Sequence, residues 1–379
     1  MNDNCINASK TTKLRHAHKL EMPRCPMPER PALLLDAAAV AELLDYPSCI
    51  DAIEAAFRRH GERADPAPDL CSVHVEGGGF HVKAAALDTG RSYFAAKANA
   101  NFPANPELRG LPTIQGVLLL FDATRGTLLA AMDSGAVTLR RTAAATAVAA
   151  RWLARADSAV ATLCGCGVQG RAQLLALSRV LPLRRVFAYD RSEQVAARFG
   201  ADMSVALGLE VTAVPELARY TRISDVCVTC TPSHAFVLGA DDVRPGTFVA
   251  GVGADHPDKR ELQPDLLARA TLVVDVLEQC ATIGDLHHAL LAGWNADDLV
   301  HAELGEVVAG LRPGRESSDE LTVFDSTGSA FQDVAAGALV YERALQRGRG
   351  GSFAFSGGGE PRASRAATST GAPRSGAER

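Results

Sequence analysis

Three closely spaced glycines lie between an apolar run and an amphipathic run in ATLCGCGVQGRAQLLAL, residues 161–177. Gly165, Gly167 and Gly170 match the pattern GxGxxG. Glycines at this spacing permit a tight turn and let the backbone approach a diphosphate, whose charge faces the amides of a helix N-terminus. An apolar strand, a glycine turn and a helix in this order are typical of dinucleotide-binding folds. The segment therefore predicts the start of a Rossmann-type unit.

Short apolar runs separated by helical segments continue through the second half of the chain. They are AVATLCGCG, RRVFAYD, EVTAV, DVCVTCTP, GTFVAGVG and TLVVDV. Runs at such intervals are typical of parallel strands that helices cover on both faces. We therefore expect an α/β fold with a doubly wound parallel sheet over residues 138–320, beginning with a linking helix rich in small residues.

The region before this helix follows a different pattern. Strand-like runs alternate with turn residues up to about residue 133, after one early helix predicted at 40–63. This pattern indicates a mixed, mostly antiparallel sheet in an α+β domain. Near Leu321 the sequence predicts a strand, a turn and a final helix that returns to this first domain.

The predicted organisation follows from these patterns. Residues 29–137 with 321–346 form a domain for substrate binding and dimerisation, and residues 138–320 form the nucleotide-binding domain. Segments rich in Gly, Ser, Pro or charge at residues 1–28 and 347–379 are expected to be disordered.

Charge and hydropathy exclude several classes of partner. The formal net charge of the 379 residues is −5, and both termini are basic, so the body between them is more acidic than this total. An acidic body argues against nucleic-acid binding. No apolar run approaches the roughly 18 residues of a membrane span, and the polar start lacks the centre of a secretory signal. We expect a cytoplasmic protein with reduced thiols and no membrane partner.

The cysteines do not form a metal-ligand pattern. Cys227 and Cys230 lie three residues apart on a predicted strand, so their side chains point to opposite faces. We therefore expect no metal site.

Asp190 ends the run RRVFAYD, twenty residues after Gly170. An acid at this place can accept both ribose hydroxyls of an adenosine, and its charge repels the additional phosphate of NADP. It predicts NAD as the cofactor rather than NADP, although the neighbouring Arg191 favours the opposite choice.

Two arginines occupy an unusual place in the linking helix. Arg140 and Arg141 fall in the first turn of the predicted segment TLRRTAAATAVAARWL, where the helix dipole disfavours cations. A substrate carboxylate and a salt bridge to an acidic side chain explain them equally well.

Three further charged residues lie in or after apolar runs. Lys83 and Lys97 interrupt strand-like segments, so they lie either on a solvated face or in a wet cleft. Asp255 follows GTFVAGVG, at the edge of the parallel sheet where ligands of doubly wound folds bind. It can exchange a proton during hydride transfer, or it can form a turn.

Several blocks, taken in order, resemble the ornithine cyclodeaminase and mu-crystallin family. They are RRTAAATAVAARWLAR, CGCGVQGRAQL, GVGADHPDKREL, VVDVLEQCATIGDL and TVFDSTGSAFQDVAAGALVYERA, and the resemblance runs from about residue 33 to 344. It implies a homodimer whose first domain, completed by the last helix, forms the subunit contact and the substrate pocket. The middle of the chain would be the NAD(P)-binding Rossmann domain.

The resemblance also implies roles for individual residues. Lys97 matches the family's active-site lysine, and Arg141 matches the arginine that holds the substrate carboxylate. Asp255 matches the acid that cyclodeaminases and related alanine dehydrogenases use as proton acceptor and donor, which mu-crystallins lack. The positions that match cofactor-contacting segments are Thr113, near the nicotinamide, and Gly165, Gly167, Val168, Gln169, Gly170, Asp190, Arg191, Thr231, Gly253 and Ser326.

One departure concerns the substrate. The family usually has an arginine before the strand that precedes the pocket, whereas this chain has DPAPDLCSVHV there. Lys83 can supply the missing cation, so the departure leaves the identity of the substrate open.

The expected function is therefore that of an NAD-dependent enzyme similar to ornithine cyclodeaminase. It would transfer a hydride at the α-carbon of a small amino acid, with cyclisation and ammonia release if the substrate is a diamino acid. The alternatives are an NAD(P)-dependent amino-acid dehydrogenase or ketimine reductase, and a non-catalytic ligand-binding protein of the mu-crystallin type. Asp255, Lys97 and Arg141 together favour an enzyme, because a binding protein needs no proton shuttle.

Overall fold

A computed structural model describes residues 31–355 of the chain. Seven strands form a first sheet in the order β15-β1-β6-β5-β4-β3-β2. Their bounds are β1 Ala32–Leu35, β2 Asp69–Val75, β3 Gly78–Asp88, β4 Ser92–Asn101, β5 Ile114–Asp122, β6 Leu128–Asp133 and β15 Gly351–Phe353. Neighbouring strands are antiparallel except β1 and β6, which are parallel. The sheet is mixed and mostly antiparallel, as predicted.

Eight strands form a second sheet in the order β13-β12-β14-β11-β10-β7-β8-β9, and all of its pairs are parallel. Their bounds are β7 Val160–Cys164, β8 Arg185–Tyr189, β9 Glu210–Ala213, β10 Val226–Thr229, β11 Phe248–Gly251, β12 Thr271–Val274, β13 Val300–Glu303 and β14 Thr322–Asp325. Most of these strands are buried along their length, as strands covered on both faces must be. The predicted Rossmann-type fold class is confirmed.

Helices cover both sheets. They are α1 Ala37–Leu43, α2 Tyr46–Gly61, α3 Asn105–Arg109, α4 Ser134–Leu153, α5 Val168–Leu177, α6 Glu193–Leu207, α7 Leu217–Thr221, α8 Pro264–Arg269, α9 Leu277–Ile283, α10 Asp285–Leu291, α11 Ala296–Leu299, α12 Leu304–Val308 and α13 Ala330–Arg347, with a 3-10 turn at Ala240–Asp242. Within residues 31–355, no helix is both long and apolar enough to cross a membrane.

The last helix packs on the first sheet, as the sequence predicted. Gly337 of α13 lies against Leu118 and Leu120 of β5, which are fully buried. Tyr93 of β4 donates a hydrogen bond to Glu342 of the same helix. The strand β14 before this helix, however, pairs between β11 and β12 in the parallel sheet. The predicted first domain, which resumes at residue 321, thus includes one strand of the parallel sheet.

Two predicted helices begin at other residues than expected. The helix predicted at 40–63 is interrupted, because the side chain of Asp45 accepts a hydrogen bond from the amide of Ser48 at 3.0 Å and Pro47 starts a new first turn. The helix α4 begins at Ser134 because Asp133 caps it. Arg140 and Arg141 consequently lie beyond the first turn, where the helix dipole is weak.

The C-terminal segment also differs from its prediction. Residues 351–353, expected to be disordered, pair with β1 as an antiparallel edge strand. The segments 1–28 and 356–379 lie outside the described residues. Residues 31–355 belong to one compact unit, so their division into two domains stays a prediction.

Candidate active site

The glycine turn connects β7 to α5 at the carboxyl edge of the parallel sheet. Gly165 has φ +104°, and a Cβ there would lie 2.8 Å from the carbonyl oxygen of Cys230. A Cβ on Gly170 would overlap the carbonyl oxygen of Gly165. These two glycines are therefore required by the close approach of the helix to the strands.

Gly167 differs from its neighbours because a Cβ there would meet no atom within 4 Å. It is the N-cap of α5 and has no side chain to bind the first amides of the helix. Val168 in the first turn is 68% exposed, and the amide nitrogen of the half-buried Gln169 side chain has no hydrogen-bond partner among residues 31–355. Open space and free amides at a helix N-terminus fit a diphosphate.

Asp190 follows β8 and lies beside the glycine turn. Its Oδ2 accepts a hydrogen bond from the amide of Cys166, and its Oδ1 accepts one from the amide of Ser192, both at 3.0 Å. These contacts hold the carboxylate at the turn, where it can still accept from ribose hydroxyls. The next residue, Arg191, is exposed.

Glu261 links two more of the predicted cofactor positions. It is fully buried, and its Oε1 accepts hydrogen bonds from the amide and hydroxyl of Thr231 at 2.7 and 2.6 Å. Its Oε2 accepts from the amide of Gly253 at 2.7 Å. Burial raises the pKa of Glu261, although these hydrogen bonds oppose the effect. Sequence analysis missed this residue, because only the fold brings the two segments to it.

Ser326 begins the loop between β14 and α13, and its amide donates to the carbonyl oxygen of Gly251 at 2.9 Å. Asp275, at the end of β12, holds the next two residues of this loop. Its Oδ2 accepts hydrogen bonds from the amides of Thr327 and Gly328 at 2.9 and 2.6 Å. Asp275 was also missed, although it is an acid near the end of the predicted strand TLVVDV.

Two more buried carboxylates lie at this edge. The amide of Asp285 donates to Oδ1 of Asp325 at 3.2 Å, and Oδ1 of Asp285 accepts from the amide of Glu261 at 2.8 Å. Oδ2 of Asp285 is buried and has no hydrogen-bond partner among the residues that the structure describes. Burial raises the pKa of Asp325 to about 7, and burial together with the charge of Asp325 raises that of Asp285 well above its usual value.

Lys97 and Arg141 share one carboxylate on the inner face of the first sheet. The Nζ of Lys97 lies 2.8 Å from Oδ2 of Asp333, and the Nε of Arg141 lies 2.9 Å from Oδ1. Arg141 also donates to Gln332 at 3.1 Å, and Lys97 donates to Thr138 at 3.2 Å. Asp333 was missed, although it is an acid in an otherwise apolar helix segment.

Burial sets the protonation of this cluster. Lys97, Arg141 and Asp333 are 3%, 4% and 1% exposed. Burial lowers the pKa of Lys97 to about 7, against the opposing effect of Asp333. Burial alone would raise the pKa of Asp333, but the charges of Lys97 and Arg141 outweigh this effect and lower the pKa below its usual value. Of the two explanations left open for Arg141, the structure contains the salt bridge.

Lys83 lies directly opposite Lys97 on the neighbouring strand β3. Its ammonium donates to the carbonyl oxygens of Thr327 and Gly328 at 3.2 and 2.5 Å. Burial and the charge of Arg141 lower the pKa of Lys83. The contact joins the first sheet to the loop after Ser326, so Lys83 lies beside one of the predicted cofactor segments.

The remaining predicted residues, Asp255, Thr113 and Arg140, lie outside this contact. Asp255 follows β11, its side chain is 45% exposed, and its carboxylate lies 2.6 Å from the amine of Lys259. Its negative charge opposes the lowering of the pKa of Lys83. Thr113 precedes β5, and its carbonyl accepts from the amide of Phe102 at 2.8 Å. Arg140 lies apart, with its guanidinium 5.2 Å from the ring centre of Tyr46.

A model of the ornithine cyclodeaminase/mu-crystallin family matches residues 31–348. The alanine dehydrogenase of Archaeoglobus fulgidus is 38% identical over 323 residues, which are 85% of this chain and 98% of the relative. An archaeal alanine dehydrogenase dimer, solved with bound NAD, has a TM-score of 0.81 at 38% identity and covers 86% of this chain and 99% of its own.

Two reductases are similar in structure. The Thermococcus litoralis Delta(1)-pyrroline-2-carboxylate reductase, solved with NADH and L-proline, has a TM-score of 0.80 at 32% identity and covers 84% of this chain and 99% of its own. The iminosuccinate reductase of Paracoccus denitrificans, solved with NAD+, has a TM-score of 0.77 at 33% identity and covers 84% of this chain and 98% of its own. The family model and these relatives extend over nearly all of the described residues. The chain therefore belongs to the ornithine cyclodeaminase/mu-crystallin family.

Proposed function

We propose that this enzyme transfers a hydride between NAD and the α-carbon of a small amino or imino acid, as an amino-acid dehydrogenase or imine reductase. The observation that carries the proposal is the contact of Lys83 with the carbonyls of Thr327 and Gly328. Through it, the buried cluster of Lys97, Arg141 and Asp333 would face the same cleft as the bound cofactor. Relatives named as alanine dehydrogenase and as imine reductases support this reaction class.

The glycine turn and Asp190 would hold the cofactor. Gly167 offers open space at the N-terminus of α5, and Asp190 offers a carboxylate to the ribose of the adenosine. That carboxylate favours NAD over NADP. When bound, the nicotinamide accepts a hydride from the carbon of an amine or returns it to the carbon of an imine.

The chain's own residues orient the substrate and move its proton. The guanidinium of Arg141 uses two of its N–H groups on Asp333 and Gln332, which leaves others for a substrate carboxylate. In the oxidative direction the α C–H electron pair leaves as hydride, a C=N bond forms, and the amine proton passes to Lys97 or Asp255. Lys97 suits this task because its pKa of about 7 leaves much of it neutral near neutral pH.

Cyclisation is a second candidate. In a diamino acid the distal amine attacks the imine carbon, ammonia leaves, and the cyclic imine takes the hydride back, with no net redox change. The family's name, which includes ornithine cyclodeaminase, supports this reaction. The buried Lys97 and Arg141 and the half-buried Lys83 disfavour a cationic substrate, so we place it second.

A homodimer and a cytoplasmic location complete the proposal. The outer face of the first sheet carries exposed apolar side chains, among them Val73, Phe80, Val82 and Val117. A patch of this kind suits a subunit contact, and the related archaeal alanine dehydrogenase is a dimer. Free cysteines among the described residues are compatible with a reducing compartment.

The test is to incubate the purified protein with NAD+ and a panel of amino acids while recording NADH and ammonia. NADH that accumulates together with ammonia supports oxidative deamination. Ammonia without accumulated NADH identifies cyclodeamination. Tight NAD(H) binding without turnover of any amino acid or cyclic imine would contradict the proposal and favour a ligand-binding protein.

A further inference from the structure

Lys83 and Lys97 are direct cross-strand partners on the inner face of β3 and β4. Like charges in this relation destabilise a sheet unless an anion lies between or beside them. Lys97 has such an anion in Asp333. Lys83 instead donates to two neutral carbonyl groups, those of Thr327 and Gly328.

This region therefore contains an excess of cations, two of them buried and one half-buried. Asp333 is the carboxylate that forms ion pairs with two of them, Lys97 and Arg141. Asp275 binds the amides of the loop that Lys83 contacts, and its negative charge compensates part of the remaining positive charge. Asp255 also acts on Lys83, but it is already paired with Lys259. An ammonium has three N–H groups, so Lys83 keeps one for a ligand.

We propose that the substrate carries a second carboxylate that Lys83 binds, which makes it a small α-amino or α-imino dicarboxylic acid. This inference rests on the proposed function and names its substrate class. A monocarboxylic amino acid is neutral overall and leaves Lys83 without an anion. A diamino acid adds a further cation to the cluster, whereas an amino dicarboxylate brings a net negative charge.

The proposed reaction balances in the same way as for other amino acids. Oxidation of the dicarboxylic amine breaks the α C–H bond, passes its electron pair to NAD+ as hydride and releases one proton from the nitrogen. The product is the imine, and the reverse reaction consumes NADH and one proton. The second carboxylate takes no part in the bond changes and serves only for recognition.

The experiment compares aspartate with asparagine and alanine as substrates of the wild type and of Lys83→Met. Asparagine has nearly the shape of aspartate without the second charge. We expect kcat/KM for aspartate to exceed that for asparagine at least about tenfold, and Lys83→Met to lower the aspartate value by about 10–100-fold more than the values for asparagine and alanine. Lys83→Arg keeps the cation and should retain the preference. Arg185→Met, which removes a cation from an exposed ion pair with Glu210, is the matched control.

Equal or better use of asparagine and alanine by the wild type would overturn the inference. An equal loss for all three substrates in Lys83→Met would also overturn it, because Lys83 would then only position the loop. A second readout needs no turnover. Calorimetric titration of the NADH-bound protein with succinate and with its monoamide should show at least about tenfold tighter binding of succinate, lost in Lys83→Met. If no amino acid is oxidised but this difference is present, the proposed reaction fails while the dicarboxylate site stands.

Discussion

The amine of Lys97 and the carboxylate of Asp333 lie 2.8 Å apart, on a strand of the first sheet and on the last helix. Both side chains are almost fully buried, and Arg141 shares the same carboxylate. The pair thus holds the last helix in register with the first sheet, and it also holds the lysine in the cleft.

Replacing Asp333 with Asn should destabilise the protein strongly. Two buried cations would lose their charged partner, and such a loss costs about 3–5 kcal/mol of unfolding free energy. Denaturant unfolding of the variant and the wild type measures this difference. Asp157→Asn removes an exposed partner of Arg155 and should cost less than about 1 kcal/mol. Equal effects of the two substitutions would contradict the role of the buried cluster.

Lys97 should control the pH dependence of amino-acid oxidation. Because burial lowers its pKa to about 7, the neutral amine that accepts a proton becomes populated as the pH rises through this value. We expect kcat/KM to rise over the same range. Lys97→Arg stays protonated, so turnover should fall about 10²–10⁴-fold while NADH affinity is retained. An unchanged rate profile in this variant would exclude Lys97 as the base.

Two glycine substitutions separate folding from cofactor binding. Gly167→Ala introduces a methyl group into open space, so its stability should be close to that of the wild type, but the group would occupy the position proposed for the diphosphate. Gly170→Ala would overlap the carbonyl of Gly165 and should lower stability as well. Thermal unfolding and NADH titration of both variants test this. Normal NADH affinity of Gly167→Ala would place the diphosphate elsewhere.

Asp190 should determine the choice between the two nicotinamide cofactors. Its carboxylate repels the additional phosphate of NADPH, and Asp190→Ala removes this charge while Arg191 remains. Fluorescence titration should show a preference of the wild type for NADH. In the variant, the ratio of NADPH to NADH affinity should increase more than about tenfold. Equal binding of both cofactors by the wild type would refute the role of Asp190.

The buried carboxylates of Asp285 and Asp325 should make stability depend on pH. Burial raises the pKa values of both groups, to about 7 for Asp325. The folded state therefore keeps protons that the unfolded state releases above about pH 4. The free energy of unfolding should therefore fall as the pH rises from about 4 to about 7, by about 1.4 kcal/mol per pH unit for each proton. Asp285→Asn cannot ionise, so its decline should be shallower in denaturant unfolding between pH 5 and 7. Parallel curves would contradict this assignment.

Local patterns predicted the fold better than they predicted the site. The strand, glycine turn and helix at residues 160–177 were predictable because steric demands act within the segment itself. The partners Glu261, Asp275 and Asp333 were not, since each acquires its role from amides or cations that tertiary contacts bring to it.

Two errors in secondary structure have equally physical causes. The predicted helix is interrupted at Asp45, which caps the second helix, and Pro47 follows in its first turn. The continuous apolar pattern concealed this interruption. The strand at Gly351–Phe353 has a composition typical of disorder, and it forms because β1 offers it an edge to pair with.

The counter-charge of Arg141 is supplied by Asp333, 192 positions later in the chain. At the usual 5–20 residues per second of protein synthesis, the ribosome needs roughly 10–40 s to make the intervening segment. During this time the arginine and the two lysines of the first sheet must stay hydrated. A nascent chain that ends before Ala330 therefore lacks both the carboxylate that neutralises Arg141 and the helix that packs on the inner face of this sheet.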